Sequence, residues 1–183
     1  GLEATDRFIG TLAEISAEPV PERITRPRSQ LQDAMLDTHF AIGQARIAVA
    51  ADPDLMAALT RVLADMGAET VTAVAPSNGP ALRQVVADRV KIGDLEDLEH
   101  SARAGEAELL IPNSHGAHTA KRLDIPLLRA GFPQFDLLGG YTRQWIGYTG
   151  TRATLFDIGN IVLGLHKGEI HAYRSRLCLL YTS

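Results

Sequence analysis

Cysteine is almost missing from this chain. One residue, Cys178, stands in 183, which excludes an internal disulfide framework and any metal site built from several cysteines of this stretch. Long apolar runs are missing too, since none approaches the roughly 20 residues that a membrane-spanning helix needs. Gly1-Leu2-Glu3 opens straight into polar, helix-like sequence, unlike a signal peptide. A positive excess is also absent: the formal charge is -4 and the pI near 5.8, the wrong sign for a nucleic-acid face. The cluster Arg23, Arg26, Arg28 is local and reads as a solvated turn and helix start. A cytoplasmic compartment is the expectation.

What is present suits one sizeable core, with 45% hydrophobic and 22% charged residues. Phe8, Leu12 and Ile15 lie at helical spacing within 4–16. After the Pro19/Pro21 break, Leu31, Met35, His39 and Ile42 repeat that spacing, and Gly43 closes a second helix. Residues 46–51 read as a buried strand. Asp52-Pro53 supplies an N-cap with Pro at the first helical position, and Leu55, Leu59, Val62 and Met66 form the buried stripe, ended by Gly67.

Further strands are expected at 70–75, 90–92, 108–111 and 126–130. Helices are expected near 79–87, 94–103 and 117–123, with a last one from about 151 to 166 burying Leu155, Ile158, Val162 and Leu165. Strands alternating with helices predict an α/β fold, an open and mostly parallel sheet three layers thick. Residues 1–45 are entering helices, 46–168 the α/β domain, and 169–183 an atypical tail, disordered or not native. The chain lacks an initiating Met and reads as a piece of a longer protein.

Nucleotide signatures are missing. The first strand–helix junction, Ala51-Asp52-Pro53-Asp54, has no Gly-x-Gly-x-x-Gly, and no Walker-type Gly-Lys-Ser/Thr occurs. The junction after the fourth strand, Pro112-Asn113-Ser114-His115-Gly116-Ala117-His118, carries polar groups at a strand's carboxyl end. His115 and His118 at i, i+3 could share a metal, yet no acidic or sulfur ligand lies near them in sequence. Capping by Asn113 or Ser114 beside a surface His is the plainer reading. Ser114 is on no Gly-x-Ser-x-Gly elbow, so a hydrolase triad is not supported. No catalytic residue and no metal ligand is assigned.

The segment from Gly131 to Gly150 interleaves aromatics with Gly and Pro: Gly131-Phe132-Pro133-Gln134-Phe135-Asp136, then Trp145-Ile146-Gly147-Tyr148-Thr149-Gly150. Such a composition is neither helix nor strand interior, so it is a shaped loop beyond a strand's carboxyl end, where α/β sheets meet ligands and partners. Phe132, Phe135, Trp145 and Tyr148 either fill the top of the core or form an intersubunit or cofactor-facing surface. Asp136 caps, or pairs with Arg143 or Arg152.

Several segments together carry a resemblance. They are Gln30–Phe40, Ala64–Glu69, Gly93–Glu99, the 131–150 loop and Gly150-Thr151-Arg152. Over about residues 4–168 the chain resembles the nitrogenase component 1-type family. The resemblance implies three Rossmann-like domains per subunit, of which this chain is the last, with the helices that enter it. It implies an α2β2-type complex with a partner scaffold subunit, on which an iron–molybdenum cofactor precursor matures, and iron–sulfur clusters whose cysteine ligands lie in the first domain, outside this chain.

The cofactor-bearing subunit of that family places a His in the loop equivalent to 131–150; here Phe135 and Asp136 stand instead, poor ligands for a soft cluster. The resemblance therefore implies a β-type subunit that contacts but does not ligate, with no catalysis by this stretch alone. Gln30–Phe40 and Gly93–Glu99 favour the assembly scaffold over the structural nitrogenase β-subunit. A stand-alone α/β domain binding a small molecule at 113–118 is the remaining alternative.

Overall fold

The computed structural model describes residues 1–165; the expected tail at 169–183, Cys178 included, lies outside the described residues. Alternation along the strands decides the layering. In β1 (Arg46–Ala50), Ile47 and Val49 enter one core and Ala48 the other, as a period of two requires. Ala73 and Ala75 of β2 (Glu69–Ala75) and Leu109 and Ile111 of β4 (Leu109–Ile111) join the first core; Val74 and Leu110 join the second. With β3 (Val90–Ile92) at the edge, the strands are all parallel in the order β3-β2-β1-β4.

The first face is covered by α2 (Glu22–Ile42), α3 (Pro53–Asp65) and α6 (Gly147–Leu165). The second is covered by α4 (Leu95–Ala104) and α5 (Ala117–Leu123). The three-layer α/β sandwich expected from the sequence is the observed fold. α1 (Leu2–Ser16) lies outside the first helical layer and contributes no buried residue.

Five features depart from expectation. The fifth strand shrinks to one bridge, Leu110 to Leu127. Leu110 N–H still donates to Pro126, Leu128 N–H to Leu110, and Ala130 N–H to Pro112. The next rung would need an N–H on Pro112, which proline lacks, so the ladder breaks there. The helix at 79–87 is only a 3₁₀ turn, Pro80–Gln84, because Val85 and Val86 favour extended backbone over a costly short nucleus. Asp52 occupies the N-cap of α3 but makes no side-chain capping bond.

The fourth departure concerns helix faces. α3 buries Met56, Leu59 and Leu63 rather than Leu55 and Val62, and α2 buries Ala34 and Thr38 rather than Met35 and His39. Small residues win on α2 because α6 crosses it closely, with Gly159 against Thr38. The fifth is α6, which begins at Gly147, before the expected 151, and leaves Leu165 exposed rather than buried. A Cβ on Gly150 would lie 2.6 Å from the Trp145 carbonyl carbon, so glycine here permits the turn that packs the loop onto the helix.

Candidate functional site

Two regions gather polar chemistry near the carboxyl ends of the strands. The first is a crevice of about 240 Å³ over β1, β2 and β4, lined by Asp52, Pro76, Gly93–Leu95, Asn113, His115 and Gly131–Phe132. An open parallel sheet binds ligands at such a place. At two of its helix starts, however, the backbone donors are already used internally. Asp94 caps α4 by accepting from Glu96 N–H (2.9 Å) and Asp97 N–H (3.1 Å), and Asp97 returns the capping box. Asn113 Oδ1 likewise takes the His115 N–H at 3.1 Å. With Asp52 added, the crevice offers carboxylates where a phosphate would need free donors.

The second region is the loop after Ala130, and its base is pinned by one carboxylate. Arg129 donates to Asp136 through Nε (2.8 Å) and Nη2 (2.7 Å). Ser114 Oγ donates to the same carboxylate and accepts the Phe135 N–H at 3.1 Å. Ser114 N–H donates to Pro133 O (3.1 Å), and Asn113 Nδ2 to Phe132 O (2.9 Å). These bonds hold the Asp136 carboxyl well below the usual carboxylate range, the Arg129 guanidinium first and the Ser114 hydroxyl second. Ser114 is buried although its neighbours are not.

The pinned loop turns its apolar side chains outward. Phe132, Phe135, Leu138, Tyr141 and Ile146 are all largely exposed. His115 stacks edge-on against Phe135, with ring centroids 5.3 Å apart. Only Tyr148 and part of Trp145 take the core-filling role.

The structure brings Asn113, Ser114, His115, Phe135 and Asp136 together and leaves Arg143, Trp145 and Arg152 elsewhere. Asp136 pairs with Arg129, not with Arg143 or Arg152. Arg143 lies 4.0 Å over the Trp145 ring and pairs with Asp157 at 2.8 Å; Arg152 donates to Gln30. Ser114 is no cap, because its hydroxyl is spent on Asp136. His115 and His118 are both exposed, one on a 3₁₀ turn and one on α5. Arg129 was missed. Its signal was a lone charge between Leu128 and Ala130, a residue that must leave the core face of an otherwise apolar segment.

The fit to an iron–sulfur cluster is poor. Among the described residues no three His, Cys, Asp or Glu side chains converge to hold a metal ion. The one carboxylate in the loop is fully engaged by Arg129 and Ser114. No described helix is long and apolar enough to cross a membrane.

Comparison with known proteins bears on the fold and the family. The family model described as nitrogenase component 1 type oxidoreductase matches residues 1–163. The nitrogenase iron-molybdenum cofactor biosynthesis protein NifN of Bradyrhizobium diazoefficiens is 45% identical over 169 residues, 92% of this chain and 36% of that protein. NifN of Klebsiella pneumoniae is 46% identical over 176 residues, 96% of this chain and 38% of that protein. The chain thus spans little more than a third of the length of these curated relatives. A solved structure described as nitrogenase Cp1 at pH 6.5 superposes with a TM-score of 0.87 at 28% identity, covering 95% of this chain and 42% of that one. The chain belongs to the nitrogenase component 1 type oxidoreductase family.

Proposed function

We propose that this chain is one Rossmann-like domain of a β-type subunit of the iron–molybdenum cofactor assembly scaffold in nitrogen fixation. It supports cluster maturation by subunit contacts rather than by ligation. The observation that carries this reading is the 45% and 46% identity to two NifN proteins over at least 92% of the chain, against 28% to the nitrogenase structure. That gap favours assembly over the nitrogenase β-subunit itself. Coverage of 36% and 38% of those relatives is the share that one domain of three would take. Its place as the last of the three stays with the resemblance and is tested by the reading frame on either side.

Under this reading the 131–146 loop is a contact surface for the other scaffold subunit of an α2β2-type cytoplasmic complex. Iron–sulfur clusters and the cofactor precursor belong to other parts of that complex. A pinned backbone carrying exposed aromatics suits such a role, since aromatic residues are enriched at interfaces and little ordering is left to do on binding. The test is co-purification of the full-length subunit with its partner. Phe135→Asp with Leu138→Asp should abolish the heteromeric complex and leave the subunit folded, with iron falling to what the subunit holds alone. An intact, iron-loaded complex from that variant would overturn the contact role. His115→Ala with His118→Ala should leave complex and iron unchanged; loss of a small ligand in that variant would favour the crevice instead.

A further inference from the structure

The chain has three asparagines, and the fold treats them differently. Asn113 is engaged at both ends of its amide: Nδ2 donates to Phe132 O at 2.9 Å, and Oδ1 accepts the His115 N–H at 3.1 Å. The next backbone nitrogen, that of Ser114, donates to Pro133 O at 3.1 Å. Asn160 stands inside α6, followed by the β-branched Ile161 in the same helix. Asn78 has neither restraint. It is exposed, it lies in the irregular stretch between β2 and the 3₁₀ turn Pro80–Gln84, and the residue after it is Gly79. Among the described residues, no hydrogen bond holds the Asn78 amide or the Gly79 N–H.

That combination exposes an asparagine to its own backbone. The side-chain carbonyl carbon of an asparagine lies within a five-membered ring of the following main-chain nitrogen. A side chain on the following residue hinders the approach, and a glycine does not, because it has no Cβ and ranges widely in φ and ψ. A backbone N–H committed to a helix or a turn must first be opened, which costs free energy, whereas an uncommitted one is available at once. Of the three asparagines, Asn78 alone meets both conditions.

We propose that Asn78 is a self-modification site, converted with water alone to aspartate and isoaspartate. Hydroxide removes the Gly79 N–H proton, and the nitrogen electron pair attacks Asn78 Cγ to close a succinimide ring. The Cγ–Nδ2 bond breaks, and the amide leaves as ammonia with a proton from water, which restores the hydroxide. Water then opens the ring. Opening at Cγ gives aspartate, and opening at the main-chain carbonyl gives isoaspartate, whose main chain is one methylene longer. The net change consumes one water and releases one ammonia, and nothing is oxidised or reduced. Either product adds a negative charge close to the start of α3, which Asp52 and Asp54 already flank. A Cβ on Gly79 would lie 3.2 Å from Pro53 Cβ and Cγ, so this backbone runs against the first turn of α3. The longer chain of isoaspartate must lift it from there. The proposal rests on neither the family nor the assembly role.

The experiment ages the unsubstituted full-length subunit, folded at neutral and at mildly alkaline pH and, in parallel, unfolded in urea. Peptides holding Asn78, Asn113 and Asn160 are then read by mass spectrometry. In the folded subunit Asn78 should convert about tenfold or more faster than either of the others, and faster at the higher pH. Isoaspartate should appear in electron-transfer fragmentation, with one solvent oxygen taken up from heavy-oxygen water. Conversion of Asn78 in urea only would mean that the fold protects the loop, and would overturn the proposal. Aspartate without isoaspartate would mean direct hydrolysis of the side chain, and would overturn the ring route equally. Asn78→Gln should abolish the conversion and Gly79→Ala should slow it; undiminished conversion in Gly79→Ala would show that glycine is not the cause. Hydrogen exchange at 80–84 should quicken in the aged isoaspartate form, and an unchanged rate there would refute the lifting of this backbone from Pro53.

Discussion

The 131–146 loop and helix α1 are held to the same core by the same chemical device. Each places one carboxylate between an arginine and a hydroxyl: Asp136 with Arg129 and Ser114, Asp6 with Arg28 and Tyr148. Each then turns apolar side chains outward. They differ in reach. Arg129 is 7 residues from Asp136, whereas Tyr148 is 142 residues from Asp6. Both loop partners lie within 22 residues of Asp136, whereas α1, paired to α2 through Arg28, is fully fastened only after α6 has docked. A local pin makes a preformed surface that survives partial loosening of the fold; a long-range pin makes one that exists only in the finished fold.

Breaking the shared base should hurt most. Leu155 is fully buried where α6 meets the core, so Leu155→Ala should cost about 2–5 kcal/mol in chemical denaturation. It should free α1 in hydrogen exchange before it frees the loop. Simultaneous release of both would erase the distinction.

Tyr148→Phe removes only the long-range hydroxyl. It leaves a charged acceptor with one partner fewer, which should cost about 1–2 kcal/mol and raise exchange in α1 while the loop stays protected. Burial, and then the bond to Asp6, push the Tyr148 hydroxyl up to about 12 from 10.0. The neutral phenol is the form the fold prefers. This contribution is complete below pH 10.0 and fades as pH rises towards 12, and ultraviolet absorbance of tyrosinate checks it.

Acid should separate the two pins in the other direction. Arg129 and Ser114 depress Asp136 strongly, and Arg28, followed by Tyr148, depresses Asp6 from 3.8. A depressed carboxyl stabilises the fold above its ordinary value and loses that contribution as pH falls through its lowered one. The loop is expected to stay ordered below pH 3.8 and to loosen only in stronger acid, seen as Phe135 and His115 resonances that remain dispersed. Disorder of the loop near pH 5 would contradict the pin. The smallest effect on stability is expected from Leu138→Asp, within about 0.5 kcal/mol because the side chain touches little, although the same change belongs to the pair expected to prevent subunit assembly.

Legibility followed the range of the interaction. The β1–α3–β2 unit was readable because a short apolar run, Pro53 at a helix start and Gly67 at its end are local signals. The capping box of Asp94 and Asp97 sits in a segment readable as a helix for the same reason. The partner of Asp136 was not readable, since Arg129, Arg143 and Arg152 are equally plausible by charge, and only the turn at Gly131 selects the nearest. Pro112 was visible in the sequence, but its effect was not, because a missing N–H matters only once a neighbouring segment arrives to need it. The helical spacing of Phe8, Leu12 and Ile15 was readable but the direction they face was not; the outward turn followed from Asp6 meeting Arg28 and Tyr148.

By itself the sequence determined the three-layer α/β fold and the shaped loop from Gly131 without His or Cys, because periodicity and turn chemistry act over a few residues, and its ordered segments carried the resemblance to the family. Tertiary structure alone decided which carboxylate meets which arginine, which stripe of α1 faces out, and that the crevice spends Asp94 and Asn113 on its own α4 and 3₁₀ starts. Those outcomes depend on side chains brought together across 7 to 142 residues, and no local pattern encodes which of several equally suitable partners arrives first.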